Sequence, residues 1–147
     1  MNSLKGFFVS KRIYSKGRCK SFLKNRKFHR IDGPAIINPD GSEEWFNEGV
    51  RHRLDGPAFS LTMENGSLYL IWYEKGVFHR KDGPAVIYPN GTEVWYKYGK
   101  VHREDGAAII RPNGAKEYFL ADVQFTYEQW FFLIPKKMKI KHLFSTC

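Results

Sequence analysis

Apolar and polar residues along this chain follow a period far longer than that of one helix or strand. A short apolar run (Ile36-Ile37, Phe59, Val86-Ile87-Tyr88, Ile109-Ile110) leads into a polar turn with glycine (Pro39-Asp40-Gly41, Asn65-Gly66, Pro89-Asn90-Gly91, Pro112-Asn113-Gly114). An aromatic run follows (Trp45-Phe46, Trp72-Tyr73, Trp95-Tyr96, Tyr118-Phe119). Asp-Gly or Asn-Gly between two β-prone runs signals a hairpin, because such turns need the positive φ that Gly and Asn supply cheaply. A second glycine (Gly49, Gly76, Gly99) closes three of the aromatic runs. Each unit therefore reads as strand, tight turn, strand, second turn.

Between units lies a motif. His29-Arg30-Ile31-Asp32-Gly33-Pro34-Ala35 recurs from His52, from His79 and, with Ala107 in place of proline, from His102, at spacings of 23, 27 and 23 residues. Degenerate copies flank the series. Phe22 falls one period before Trp45, with Arg26 at the glycine position; Asp122 takes that position at the other end, and Phe125 replaces the next His. A unit this small cannot bury its own apolar face, so neighbouring hairpins must pack on one another. The expected fold is all-β: an elongated antiparallel sheet of tandem hairpins, divided into a capping hairpin (1–28), the repeats (29–125) and a C-terminal cap with a basic tail (126–147). Thr126-Tyr127-Glu128-Gln129 reads as a capping box before Trp130-Phe131-Phe132-Leu133-Ile134, which Pro135 stops. A short helix over the last hairpin follows from it, although Phe131–Ile134 also suits a strand.

Length adds that 147 residues make one domain, and 16% aromatic content favours strands. Cys19 and Cys147 are too few for a disulfide framework, and the apolar stretch Phe7–Val9 is far shorter than a signal-peptide core. A reducing, cytoplasmic setting is expected. The net charge of +9 is unevenly spread. Residues 1–28 carry Lys5, Lys11, Arg12, Lys16, Arg18, Lys20, Lys24, Arg26 and Lys27 without one acid; residues 135–147 carry Lys136, Lys137, Lys139 and Lys141, again without one. The body between is mildly acidic.

The recurring His, Arg and Asp suggest metal or acid–base chemistry, but spacing opposes it. Equivalent residues of successive hairpins lie two strands apart, about 9–10 Å, whereas each His ligand of a zinc ion sits about 2.0–2.1 Å from the metal. No metal, cofactor or catalytic residue is expected. Repetition suits structure better: Asp32, Asp55, Asp82 and Asp105 organise their turns, Arg30, Arg53, Arg80 and Arg103 pair with neighbouring carboxylates, and His29, His52, His79 and His102 make a fixed contact between repeats. Trp45, Trp72 and Trp95 pack between hairpins. The alternative is that the four arginines form an exposed stripe for phosphates or carboxylates. Cys19 reads as an ordinary thiol, and the glycines belong to turns, since no Lys-Ser/Thr follows to make a phosphate loop.

The basic N-terminal segment has two readings as well. A capping hairpin with strand Phe7–Tyr14 and a turn near Ser15-Lys16-Gly17 would use its lysines to blunt a sheet edge. The same cations, interleaved with Phe7, Phe8, Tyr14 and Phe22, would suit nucleic acid or a nucleotide. The C-terminal lysines beside Phe132, Leu133 and Ile134 would suit an anionic membrane surface.

The unit Trp95-Tyr96-Lys97-Tyr98-Gly99-Lys100-Val101-His102-Arg103-Glu104-Asp105-Gly106 resembles a MORN repeat, and more closely the His-Arg-x-Asp-Gly-Pro-Ala variant of bacteriophage and large-virus proteins. The resemblance spans Phe22 to Phe125. It departs from the standard MORN pattern in having Arg after His where that pattern has Gly. It implies a binding or scaffolding module, and for a small viral protein a host protein as partner, which the module binds and inhibits. Self-association through exposed sheet edges is a further expectation. Function is expected where the pattern lapses: the basic N-terminal cap, the insertion within Ser60–Tyr73 and the aromatic, Lys-rich C-terminus.

Overall fold

In the computed structural model, which describes residues 10–13, 19–136, 138 and 139, the steps Asp40-Gly41, Asn65-Gly66, Asn90-Gly91 and Asn113-Gly114 each close a hairpin. The side chain three residues before the second strand holds the turn: Asp40 Oδ1 accepts from the Ser42 N–H at 2.9 Å, Asn65 from Ser67 at 3.0 Å, Asn90 from Thr92 at 2.9 Å and Asn113 from Ala115 at 3.0 Å. Strands then follow one another across an antiparallel sheet in chain order: Ser10–Ile13, Lys20–Lys24, Ile36–Ile37, Glu43–Glu44, Phe59–Thr62, Leu68–Ile71, Val86–Ile87, Glu93–Val94, Ile109–Ile110, Lys116–Leu120 and Val123–Phe125. Lys27–Phe28 pairs beside Lys20–Lys24. Ser10–Ile13 lies within the expected N-terminal strand; the other residues of that strand and its turn fall outside the described residues.

The aromatic runs differ from the expected single strands. Three of the four divide at their tryptophan, because that residue serves two partners, whereas Tyr118-Phe119 stays within the single strand Lys116–Leu120. The Trp45 N–H still bonds Ala58 O in the next unit at 2.7 Å, while its carbonyl receives the His52 N–H of its own hairpin at 3.1 Å. Trp72 and Trp95 do the same. Beyond the tryptophan the chain leaves the main sheet for a two-stranded arm: Phe46–Asn47 with Val50–Arg51, Tyr73–Glu74 with Val77–Phe78, and Tyr96–Lys97 with Lys100–Val101.

These arms make the core possible. Across the sheet, Phe59, Ile71, Val86, Val94 and Ile109 stand in register on one face. The arms fold over that face, so Ile71, Val86 and Val94 are buried beneath Tyr73, Phe78, Tyr96 and Val101. Ring contacts join arm to arm, with Tyr73–Phe78 centroids 4.8 Å apart and Phe78–Tyr96 4.9 Å apart. The motif alanines Ala35, Ala58, Ala85 and Ala108 are wholly buried, which leaves no room for a larger side chain. The insertion in the second full unit lengthens both hairpin strands from 2 to 4 residues. Adding two to each keeps every side chain on its own face.

The last strand leads into the expected helix, Tyr127–Leu133, and the strand alternative is set aside. Thr126 Oγ1 accepts from the Gln129 N–H and Gln129 Oε1 accepts from the Thr126 N–H, a complete capping box. Trp130 is wholly buried against the Tyr118 ring, 4.9 Å between centroids, and donates its Nε1–H to the Arg103 carbonyl at 2.9 Å. Among the described residues no helix is long and apolar enough to cross a membrane.

Candidate interaction surface

The site is best understood by asking what each motif residue already does. The two-residue turns at the arm tips hold both central residues at positive φ, for example Glu48 at 50° and Gly49 at 86°. That conformation aims two successive N–H groups at the preceding unit. Gly49 N–H reaches Phe28 O at 2.8 Å and Glu48 N–H reaches His29 Nδ1 at 3.1 Å. The same pair of bonds recurs at each junction. Lys75 donates to His52 at 3.2 Å, Tyr98 to His79 at 3.3 Å and Ala121 to His102 at 3.1 Å, while Gly76, Gly99 and Asp122 donate to backbone carbonyls. Each histidine is therefore an acceptor across a repeat boundary, the contact its spacing suggested.

Each arginine is held between a ring and a glycine. The guanidinium carbon lies 3.8 Å from the Trp45 centroid for Arg53, 3.8 Å from Trp72 for Arg80, 3.9 Å from Trp95 for Arg103 and 4.3 Å from Phe22 for Arg30. On the other side sits the motif glycine, where a Cβ would come within 2.6 Å of Arg30 Cζ at Gly33 and 2.8 Å of Arg53 Cζ at Gly56. Nη1 of each arginine donates to the carbonyl of the residue after that glycine, Pro34, Pro57, Pro84 or Ala107, at 3.0–3.4 Å.

The motif aspartates depart from expectation. The turns are organised by Asp40, Asn65, Asn90 and Asn113, whereas Asp32, Asp55 and Asp105 brace their own arginines, accepting from Nε at 3.0, 2.8 and 2.7 Å. Those bonds hold the Asp32 and Asp55 carboxyls below the usual range. The third unit breaks the rule. Arg80 and Asp82 share no hydrogen bond or ion pair, and Asp82 acts on the guanidinium only at longer range. Burial pushes the Arg80 guanidinium down from its ordinary value.

The four arginines are thus engaged side chains rather than a free stripe. The basic cap is less committed. Lys24 pairs with Glu48 at 2.8 Å, and Lys27 packs beside Gly49. Lys20 and Arg26 are exposed, Lys11 and Arg12 sit on the strand Ser10–Ile13, and Lys5, Lys16 and Arg18 lie outside the described residues.

One motif position changes from unit to unit and makes no contact common to all four. Between Arg and Asp stand Ile31, Leu54, Lys81 and Glu104, at the tips of successive loops on one side of the sheet. Ile31 is 87% exposed and Leu54 78%, which are large apolar side chains in open solvent. Glu104 is tied to His102 at 3.1 Å and Lys97 at 3.5 Å; partial burial pushes its carboxyl up, but these partners hold it below its ordinary value. Leu54, Lys81 and Glu104 line an open groove of about 1300 Å³ together with Trp72, Trp95 and Tyr98. Tyr98, 65% exposed, stacks on His79 with ring centroids 4.2 Å apart. Sequence reasoning passed over this row, although its signal was present: it changes from unit to unit while every residue around it repeats.

No protein-family model matches the chain, and no curated protein is significantly similar to it in sequence.

Proposed function

We propose that the chain is a MORN-like repeat protein that serves as a non-catalytic protein-interaction module, a phage or viral accessory protein that binds and inhibits a host defence factor in the host cytoplasm. One observation carries this reading. His and Arg are spent on contacts between units and three of the four motif aspartates on bracing their own arginines, while the position that varies presents Ile31 and Leu54 to solvent. Exposed aliphatic side chains, one of them Leu54 in a groove with tryptophan and tyrosine, suit a protein partner better than a polyanion, whose recognition rests on cations.

The test is capture from host lysate on the immobilised full chain, with and without nuclease, followed by mass spectrometry. Enrichment of one host protein that survives nuclease supports the reading. Loss of every partner with nuclease contradicts it and favours capture of nucleic acid by the basic terminal region.

A further inference from the structure

The spacing of the loop tips has a consequence for the partner's conformation. Successive tips are two strands apart, because between Ile36–Ile37 and Phe59–Thr62, and again to Val86–Ile87 and Ile109–Ile110, exactly one strand intervenes each time. At a strand separation of about 4.7–4.9 Å the tips recur roughly every 9.4–9.8 Å. An extended β-strand matches this badly, since residues three apart point to opposite faces. A polyproline II helix matches it well: three residues per turn at about 3.1 Å each return a side chain to the same face every 9.3 Å or so.

The groove behind the tips fits such a ligand in its chemistry. Trp72, Trp95 and Tyr98 line it, each with one face already stacked on Arg80, Arg103 or His79, and polyproline segments pack against aromatic side chains of this kind. Charge sets the rest of the pattern. Ile31 and Leu54 are apolar, whereas the third tip, Lys81, is an exposed cation with no ion-pair partner among the described residues. Beside it lies Arg80, the one motif arginine whose Nε no carboxylate occupies.

We infer, on the basis of the protein-interaction reading above, that the row of loop tips, with the groove behind Leu54, Lys81 and Glu104, receives a polyproline II segment of a partner protein. The segment carries apolar residues at two positions three apart, opposite Ile31 and Leu54, and an acidic residue three further on, opposite Lys81 and Arg80. Pitch sets the three-residue interval, and the exposed Lys81 sets the acidic position, although Asp82 and Glu104 line the same groove.

Fluorescence anisotropy tests this with labelled peptides and the full chain. One peptide reads Leu-Pro-Pro-Leu-Pro-Pro-Glu-Pro-Pro, and a control spaces the same Leu, Leu and Glu four apart. The three-residue spacing is expected to bind at least tenfold more tightly. Leu54→Asp and Lys81→Glu, both at exposed positions, are each expected to weaken binding tenfold or more with unchanged circular dichroism. Exchanging the peptide's Glu for Lys is expected to restore binding to Lys81→Glu. Equal binding of the two spacings, or no effect of either substitution, overturns the inference. The same variants tested against the nuclease-resistant lysate partner separate the two levels. A partner that leaves with Leu54→Asp, while neither peptide binds, keeps the interaction module and rejects the polyproline ligand. A lysate in which no protein partner survives nuclease rejects the module itself.

Discussion

Gly56→Ala perturbs the arginine ladder at a point of close approach with the smallest possible change. Gly56 lies outside the positive-φ region, so its backbone suits alanine, and only space opposes the added methyl. That methyl would stand 2.8 Å from Arg53 Cζ and 3.0 Å from Nε and Nη2, so the guanidinium must lift from Trp45. What is lost is the stacked cation, about 0.5–2 kcal/mol, and the Nη1 bond to Pro57 O, about 1 kcal/mol. The bond to Asp55 adds little, since that carboxylate is exposed. Against this, alanine restricts the unfolded chain and returns about 0.4–1 kcal/mol. The net loss expected is about 1–2 kcal/mol. In an Arg53→Ala background the clash is gone, and Gly56→Ala is expected to be neutral or mildly stabilising. Urea unfolding of the four proteins of this cycle measures the coupling, expected near 2 kcal/mol. Additivity within about 0.5 kcal/mol would refute the ring–guanidinium–glycine sandwich.

Other parts of the structure give further expectations. Trp130→Ala removes the buried plug of the last hairpin and leaves the Arg103 carbonyl without its donor, so urea unfolding should show a loss of about 3–5 kcal/mol. Trp130→Phe, which keeps a ring but no donor, should cost much less. Acid should weaken the fold through its carboxylates. Asp32, Asp40, Asp55 and Glu48 have folded-state values below their unfolded ones, held down by Arg30, Ser42, Arg53 and Lys24. Their stabilisation is complete above the unfolded carboxylate range near pH 4 and lost as pH falls below it. Thermal melts from pH 6 to pH 2.5 should show that decline, with a shallower slope for a variant carrying both Asp32→Asn and Asp55→Asn.

Much of this architecture could be read from residues alone, because the repeat states each rule several times. Hairpin turns were legible in Asp40-Gly41 and Asn90-Gly91, and the helix in Thr126 and Gln129, since these signals act locally. The histidine contact was legible in outline, as a period. What stayed hidden depends on distances between units. No local rule says that Trp45 must divide its loyalties between Ala58 and His52, and so splits its strand. Nor does one assign Asp55 to its arginine instead of its turn, because Asx chemistry is equally open to both until Trp45 fixes the guanidinium. Gly56 looked like a turn glycine, yet its requirement is the close approach of Arg53. The candidate surface was hidden for another reason: Ile31, Leu54, Lys81 and Glu104 share no residue type, and their alignment appears only when the sheet brings successive loops side by side.

The account rests on histidines that tie each unit to the next, and native-state hydrogen exchange measures that tie most directly. Amides of Glu48, Lys75, Tyr98 and Ala121 sit at exposed turn tips and would exchange quickly if free. They are expected to be protected at least 100-fold, and His52→Ala should release Lys75 while leaving Ala121 protected. Fast exchange at these four amides in the unmodified protein, or equal protection of Lys75 with and without His52, would contradict the histidine-linked ladder.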